Sequence, residues 1–302
     1  MFSTILNALA PIIVVVTMGW ISGRYRILPK NAGEVLAGFV VKFALPLSLF
    51  IAASKATADQ LLNVPYVLAL AIGLLSSYCL GFALSIALFG RGKAEAAVQG
   101  LAASFPNMAY CGPPVLVAAV SHSALLAVVV GNLIVTIILI PLTLILLKGE
   151  RLLKSIRIAI FQPLVLLPLA GAVMALSGLQ LPELIISSVN EIGVAAGGCA
   201  LFTLGLILSN IRFVVDLDVV INVGVKNIFQ PVLFLGAGLA LGLTGDLLKQ
   251  VFLIGVLPTA TAVPTLALAN KTYAGEAASS VMASTLLAII TISVGVVLVG
   301  LL

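Results

Sequence analysis

Ala103-Ser104-Phe105-Pro106-Asn107-Met108-Ala109-Tyr110-Cys111-Gly112-Pro113-Pro114 interrupts an apolar segment that is long enough to cross a membrane. Each proline removes a backbone donor and clashes with the carbonyl four residues earlier, so this stretch cannot be a continuous helix. A later apolar segment is interrupted in the same way by Leu257-Pro258-Thr259-Ala260-Thr261-Ala262-Val263-Pro264. Unwound backbone at membrane depth is tolerated only where it is buried in protein or lines a wet cavity. The two breaks therefore predict a binding site made by two interrupted helices.

The composition places these segments in a lipid bilayer. The chain has 302 residues, of which 8% are charged and 62% hydrophobic, and its mean hydropathy is +1.30. Soluble domains carry about 25% charged residues. The composition therefore excludes a secreted enzyme, a nucleic-acid-binding protein and a disordered chain. The N-terminus has no early basic region and no small-residue cleavage site, so we expect its first apolar run to remain a membrane span.

Residues that support catalysis or metal binding are scarce. His122 is the only histidine and is expected at the membrane interface, and the three cysteines lie far apart in apolar runs. Neither a nucleophile–base pair nor a carboxylate pair accompanies the breaks. We therefore predict a protein that is not an enzyme and that needs no cofactor and no metal.

Apolar segments long enough to cross a bilayer core of about 30 Å occur ten times along the chain. Only short connections separate them, so no soluble domain is expected. The predicted fold is an all-α polytopic membrane protein with spans at 3–23, 33–54, 65–90, 95–120, 123–147, 157–177, 183–208, 219–243, 247–269 and 275–301.

Basic residues in the loops predict the orientation, because Lys and Arg favour the cytoplasmic side. The even-numbered loops hold only Lys55 and Lys249. We therefore predict cytoplasmic odd-numbered loops and both termini outside, in the inner (cytoplasmic) membrane. The odd-numbered loops hold eleven basic residues, namely Arg24, Arg26, Lys30, Arg91, Lys93, Lys148, Arg151, Lys154, Arg157, Arg212 and Lys271.

The two halves of the chain correspond at an offset of 152 residues. Pro106 then aligns with Pro258, Asn132 with Ser284, and Gly90 with Gly242. Five spans in each half are an odd number, so the second half, 151–302, is inserted upside down relative to the first, 1–150. Inverted repeats of this kind are typical of secondary transporters, whose substrates bind near the midplane where the repeats meet.

The breaks in spans 4 and 9 are predicted to cross and to bring half-helix ends together. Helix N-termini carry partial positive charge and free N–H groups that suit an anion. Asn107 offers an amide, Thr259 and Thr261 offer hydroxyl groups, and Tyr110 offers a phenol. The backbone positions that shape this candidate site are Pro106, Gly112, Pro114, Pro258 and Pro264.

Charged residues inside the spans are candidates for function. Lys42 lies near the centre of span 2, where an unpaired lysine costs ~2.5–3.5 kcal/mol on insertion scales. It either attracts a carboxylate substrate or pairs with Glu191 of span 7, which is also a candidate for proton coupling. The alternative is that both residues are structural or reach the interface. Lys226, in contrast, is interpreted as a topology determinant at the cytoplasmic edge of span 8.

The residues Asn107-Met-Ala-Tyr-Cys-Gly112-Pro-Pro114 resemble the Asn-x-Gly-x-x-Gly-x-Pro crossover of the auxin efflux carrier family, which includes bacterial organic-acid transporters. The segments Pro46-Leu-Ser48 and Leu257-Pro258-Thr259-Ala260-Thr261 fit the same family. Two departures stand out. Ala109 replaces the first glycine of the motif, and Gly197-Gly198-Cys199 replaces the usual proline segment of span 7.

The resemblance implies crossed helices 4 and 9 in a mobile transport domain of helices 3–5 and 8–10. Helices 1, 2, 6 and 7 would form a scaffold, the protein would be a homodimer, and the motion would be of the elevator type. Ser48 joins the candidate substrate-binding residues on this basis. The long cytoplasmic loop of plant auxin carriers is absent, which favours a small organic acid such as malonate over a plant hormone.

The leading hypothesis is therefore a secondary carrier of small carboxylates that works by alternating access and is driven by a proton or electrochemical gradient. One alternative is a sodium-coupled organic-anion symporter of the bile-acid-transporter type, although the acidic Na⁺ ligands expected there are missing. A channel is a further alternative, but the internal inverted pairing favours a carrier.

Overall fold

The computed structural model describes residues 2–148, 161–210 and 216–301, and this part of the chain is helical, without a strand. One short turn of helix spans Ala58–Leu61. The twelve longer helices are α1 Phe2–Arg24, α2 Ala32–Ser54, α3 Val64–Phe89, α4 Lys93–Ser104, α5 Gly112–Ala119, α6 His122–Leu147, α7 Pro163–Ser177, α8 Glu183–Ser209, α9 Leu217–Ala240, α10 Gly245–Val256, α11 Ala262–Ala269 and α12 Ala274–Val299.

Six of the helices, α2, α3, α6, α8, α9 and α12, are long and apolar enough to cross a membrane. The all-helical, multi-pass prediction is therefore confirmed. Both predicted breaks are confirmed as well, because residues 105–111 separate α4 from α5 and residues 257–261 separate α10 from α11. The predicted boundary at residue 150 and the basic residues Arg151, Lys154, Arg157 and Arg212 lie outside the described residues.

Helix bounds in the two halves follow the offset found in the sequence. Helices α4 and α10 begin and end 152 residues apart, and so do the first residues of α6 and α12. Gly90 and Gly242, again 152 residues apart, follow α3 and α9 with left-handed backbone (φ 60° and 74°). Glycine is favoured at both positions because it adopts this conformation without steric cost. The helix bounds and the glycines that follow the helices therefore repeat at the same offset along the chain.

Three of the long helices contain one π-helical turn each, and a proline explains its position. The turns are Val40–Ala44 in α2, Val135–Leu139 in α6 and Val225–Phe229 in α9. A proline, namely Pro46, Pro141 or Pro231, lies two residues beyond the end of each turn. Proline lacks an N–H and clashes with the carbonyl four residues earlier, which here lies inside the turn. The wider turn accommodates this carbonyl and keeps the helix continuous.

Helix packing forms two groups of neighbours. Helix α8 packs along α1 and α2, and α7 packs along α2, whereas α3 packs against α4 and α9, and α9 packs against α10. The contact of α1 with α8 is very close, since a Cβ atom at Gly19 or Gly205 would overlap backbone atoms of the opposite helix. Small residues allow membrane helices to approach in this way.

A cluster of charged residues joins three helix ends at one end of the bundle. Arg91, in the α3–α4 connection, pairs with the buried carboxylate of Asp218 in α9 and lies 3.7 Å from Glu276 in α12. Its guanidinium also lies 5.4 Å from the ring centroid of Tyr273. Partial burial lowers the pKa of Arg91, but the hydrogen bond and charge of Asp218, with the charges of Glu95 and Glu276, raise it overall. Arg91 therefore stays charged and holds the three ends together.

Candidate functional site

The two breaks meet and form a short antiparallel bridge between Pro106 and Thr259. The N–H of Asn107 donates to the carbonyl oxygen of Pro258 at 2.7 Å, and the N–H of Ala260 donates to the carbonyl oxygen of Phe105 at 2.9 Å. These two bonds satisfy backbone groups that the prolines remove from helical pairing. Crossing of the breaks, predicted from the sequence, is therefore present in the structure.

Thr259 connects the bridge to three other elements. Its Oγ1 donates to the carbonyl oxygen of Ala102 in α4 at 3.0 Å, and its N–H donates to Oγ of Ser284 in α12 at 2.9 Å. Ser284 in turn donates to Oδ1 of Asn227 in α9 at 2.6 Å, and Nδ2 of Asn227 donates back to the carbonyl oxygen of Ser284 at 3.1 Å. These side chains are buried, so the network fixes the crossover against α9 and α12.

The π-turn of α9 and the residue that follows it supply donors that cap the two half-helices ending at the crossover. Nε2 of Gln230, the residue directly after the turn, donates to the carbonyl oxygen of Ser104 at the end of α4 at 2.6 Å. Nζ of Lys226 donates to the carbonyl oxygens of Gly255, at 3.2 Å, and Leu257 at the end of α10. Lys226 is completely buried. Its interpretation as a charge at the cytoplasmic edge of span 8 was therefore wrong.

Several buried polar atoms around the crossover have no hydrogen-bond partner in the described part of the chain. Asn107 Nδ2 is among them, although the backbone of the same residue is fully engaged. Unpaired buried donors and acceptors are costly, so these atoms are suited to a polar ligand or to water. The others near the crossover and in the helices that hold it are Ser104 Oγ, Gln99 Nε2 and Oε1, Asn132 Nδ2, Gln230 Oε1 and Thr285 Oγ1.

A largely apolar cavity of about 260 Å³ adjoins the crossover. Cys111 and Pro258 from the two breaks line it, together with side chains of α1, α8 and α12 that include Trp20, Leu204 and Thr285. The cavity therefore lies where the close α1–α8 pair meets the crossover. Apolar walls with few polar groups are typical of small-molecule sites.

The structure brings most of the predicted site residues together. Pro106, Asn107, Thr259 and Pro258 form the bridge, and Gly112 begins α5 beside it. The remaining crossover residues surround it: Tyr110 is hydrogen-bonded through its side chain to that of Thr261, and Pro114 and Pro264 lie in the first turns of α5 and α11.

Three predicted residues lie away from the crossover. Ser48 in α2 faces Gly193 of α8, whose missing Cβ leaves room for it. Lys42 and Glu191 are exposed on the surface of the bundle, and neither enters an ion pair within the described ranges. The suggested Lys42–Glu191 pair is therefore not formed in this structure. A role of either residue in substrate contact or proton coupling stays a prediction.

Sequence reasoning missed the contribution of α9. Lys226, Asn227 and Gln230 all reach the crossover, yet only Lys226 was noted, and it was assigned another role. One signal was present, since Lys226 lies ten residues into a span of 24 residues and therefore near its middle. Polar side chains in the middle of an apolar span are expected to face protein rather than lipid.

Thr259→Val is expected to destabilise the crossover by about 1–3 kcal/mol, because it leaves the buried carbonyl of Ala102 without its donor. Thr259→Ser keeps the hydroxyl and serves as the matched control. Thermal unfolding of the purified variants in detergent measures the difference. Equal melting temperatures for the two variants would contradict the assigned hydrogen bond.

Together, the helices and the crossover define a multi-pass membrane protein with two interrupted helices that meet. The sequence model of the membrane transport protein family matches residues 4–156 and 149–296. The chain therefore belongs to this family, and the resemblance to auxin efflux carriers found in the sequence is confirmed.

Curated relatives agree with this assignment. A protein of Escherichia coli (strain K12) named "Uncharacterized transporter YfdV" is 28% identical over 271 residues, which cover 86% of each chain. A protein of Rhizobium meliloti (strain 1021) named "Putative malonate transporter" is 25% identical over 303 residues, which cover 94% of this chain and 92% of the relative. Both relatives are named as transporters.

Proposed function

We propose that the protein is a secondary active transporter of small organic anions, such as malonate-like carboxylates, rather than an enzyme or a channel. The observation that carries the proposal is the meeting of two interrupted helices, whose free half-helix ends suit a charged substrate. Family membership and the name of the Rhizobium relative point in the same direction. The substrate site includes the crossover residues and the adjoining cavity.

Electrostatics favour an anionic substrate. Lys226 places a buried amino group in the core near the crossover, and none of the described ion pairs includes it. The carbonyl oxygens of Gly255 and Leu257 accept from its Nζ, and the thiol of Cys111 lies within electrostatic reach. An anion that reaches the crossover meets the partly positive N-termini of α5 and α11 and the free amide of Asn107.

The proposed topology is ten spans in two inverted five-span units, with both termini outside the cytoplasmic membrane. Support comes from the offset of 152 residues between helix bounds, and from the Arg91 cluster, which joins ends predicted to lie on one side. The α1, α2, α7 and α8 group would be the scaffold of a homodimer, and the crossover group would move against it in an elevator-type cycle.

Uptake into liposomes that contain the purified protein tests the function. We expect time-dependent, saturable accumulation of at least one radiolabelled carboxylate from a panel of mono- and dicarboxylates, relative to protein-free liposomes. An imposed proton or sodium gradient identifies the coupling ion and decides the sodium-coupled alternative. Flux that does not saturate would favour a channel, and absence of flux for the whole panel would contradict the proposal.

A further inference from the structure

The ammonium group of Lys226 lies where a half-helix ends inside the protein. Helix α10 ends at Val256, and Nζ contacts the carbonyl oxygens of Gly255 and Leu257 on either side of that end. These oxygens have no partner within the helix and carry its partial negative charge. Lys226 is completely buried, so its Nζ meets these backbone oxygens instead of water, and the titratable group that acts on it is the thiol of Cys111.

The end of α4 shows that capping alone does not require a charge. There, Gln230 donates to the carbonyl oxygen of Ser104 and Thr259 donates to that of Ala102, and both donors are neutral. Burial of an ammonium costs far more than burial of an amide or hydroxyl. A lysine at the end of α10, where neutral residues cap the end of α4, therefore calls for an explanation beyond hydrogen bonding.

Unwound carbonyls at half-helix C-terminal ends are also the ligands that hold a coupling cation in broken-helix transporters. We propose that Lys226 is a tethered cation, whose ammonium fills a monovalent-cation site formed by the carbonyls of Gly255 and Leu257. The site then has no room for a free ion, and sodium is not a coupling ion through it.

Thermal unfolding in NaCl, KCl and choline chloride at equal ionic strength tests this proposal. The wild-type protein is expected to melt at the same temperature in all three salts, because its site is filled. Lys226→Ala is expected to melt several degrees lower in choline chloride, and Na⁺, K⁺ or methylammonium should restore part of the loss. Lys226→Met should be destabilised without a response, since its side chain still fills the space.

Lys93→Ala, at an exposed position of α4, is the control for loss of a lysine charge. Equal melting of Lys226→Ala in all salts, or a sodium response of the wild type, would overturn the proposal. If Lys226→Ala does not fold in choline chloride, the variant is purified in parallel in NaCl and in choline chloride. The yield of monodisperse protein then replaces the melting temperature as the measurement. Monodisperse protein in NaCl alone then supports the site, and loss in both salts refutes it.

The conclusion that sodium does not couple through this site rests on the proposed transport function, whereas the cation site itself does not. The melting experiment reads stability and needs no substrate, so failure to transport carboxylates leaves its outcome unaffected. Conversely, a refuted cation site leaves the uptake experiment able to support the carrier.

Discussion

Asn107→Ala is expected to lower carboxylate uptake about 10- to 100-fold, the effect of losing a hydrogen bond of about 1.5–3 kcal/mol to a charged group. The fold should survive, because Asn107 holds the crossover through its backbone. Its N–H donates to Pro258 and its carbonyl accepts from Cys111 and Gly112. The side-chain Nδ2 is buried and unpartnered among the described residues, which leaves it free for substrate. Initial uptake rates in proteoliposomes measure the effect.

Asn190→Ala is the matched control, because Asn190 is exposed on α8 and away from the crossover. It should transport as the wild type does at equal protein level. The melting temperature of Asn107→Ala should stay close to that of the wild type, which separates loss of binding from loss of fold. Undiminished uptake by Asn107→Ala would remove this residue from the substrate site.

Gly205→Ala is expected to destabilise the protein by about 3 kcal/mol, the upper range for overpacking of a well-packed core. A Cβ atom at this position would overlap the carbonyl oxygen of Val16 and approach the backbone of Gly19 and Trp20, so α1 and α8 must separate. The same change at Gly197, on the same helix, meets no atom within 4 Å.

Gly197→Ala should therefore be neutral or slightly stabilising, because alanine favours a helix over glycine by about 1 kcal/mol. Measured in one detergent, the melting temperature of Gly205→Ala should lie below that of the wild type, and that of Gly197→Ala should be equal to it or slightly higher. A stable Gly205→Ala protein would show that α1 and α8 do not pack as closely as described.

Local chemistry made the breaks predictable. Several prolines close together, as in residues 106–114 and 258–264, prevent helical pairing, so their clustering located the unwound segments. Single prolines such as Pro46 and Pro231 are accommodated by π-turns in continuous helices. The long helices were predictable because apolar runs of about 20 residues are long enough to cross a bilayer. The repeat was also visible, because Gly90 and Gly242 end helices through a backbone conformation that favours glycine.

The central position of Lys226 indicated that α9 faces protein there, but the contacts of α9 could not be predicted, because they depend on the rotation of one helix against another. Lys42 and Lys226 both lie in π-turns of apolar helices, yet Lys42 is exposed and Lys226 is completely buried. Helices that are apolar all round give no periodicity from which their inward face can be read. Contacts such as Gln230 to Ser104, which span 126 positions of the chain, arise only after the helices pack.

The π-turn of α9 also determines which way the side chains beyond it face, because it contains one extra residue compared with a regular turn. Each residue of a helix advances the side chains that follow by about 100°. Deleting one residue of Val225–Phe229, together with Pro231→Leu, would restore regular winding and preserve hydropathy. It would also rotate Gln230 relative to Asp218 and Asn222, which are held near the other end of α9 by Arg91, Tyr273 and Ser280. The π-turn therefore sets the rotation of the second part of α9 relative to its first part. This rotation lets one helix contact both the Arg91 cluster and the crossover.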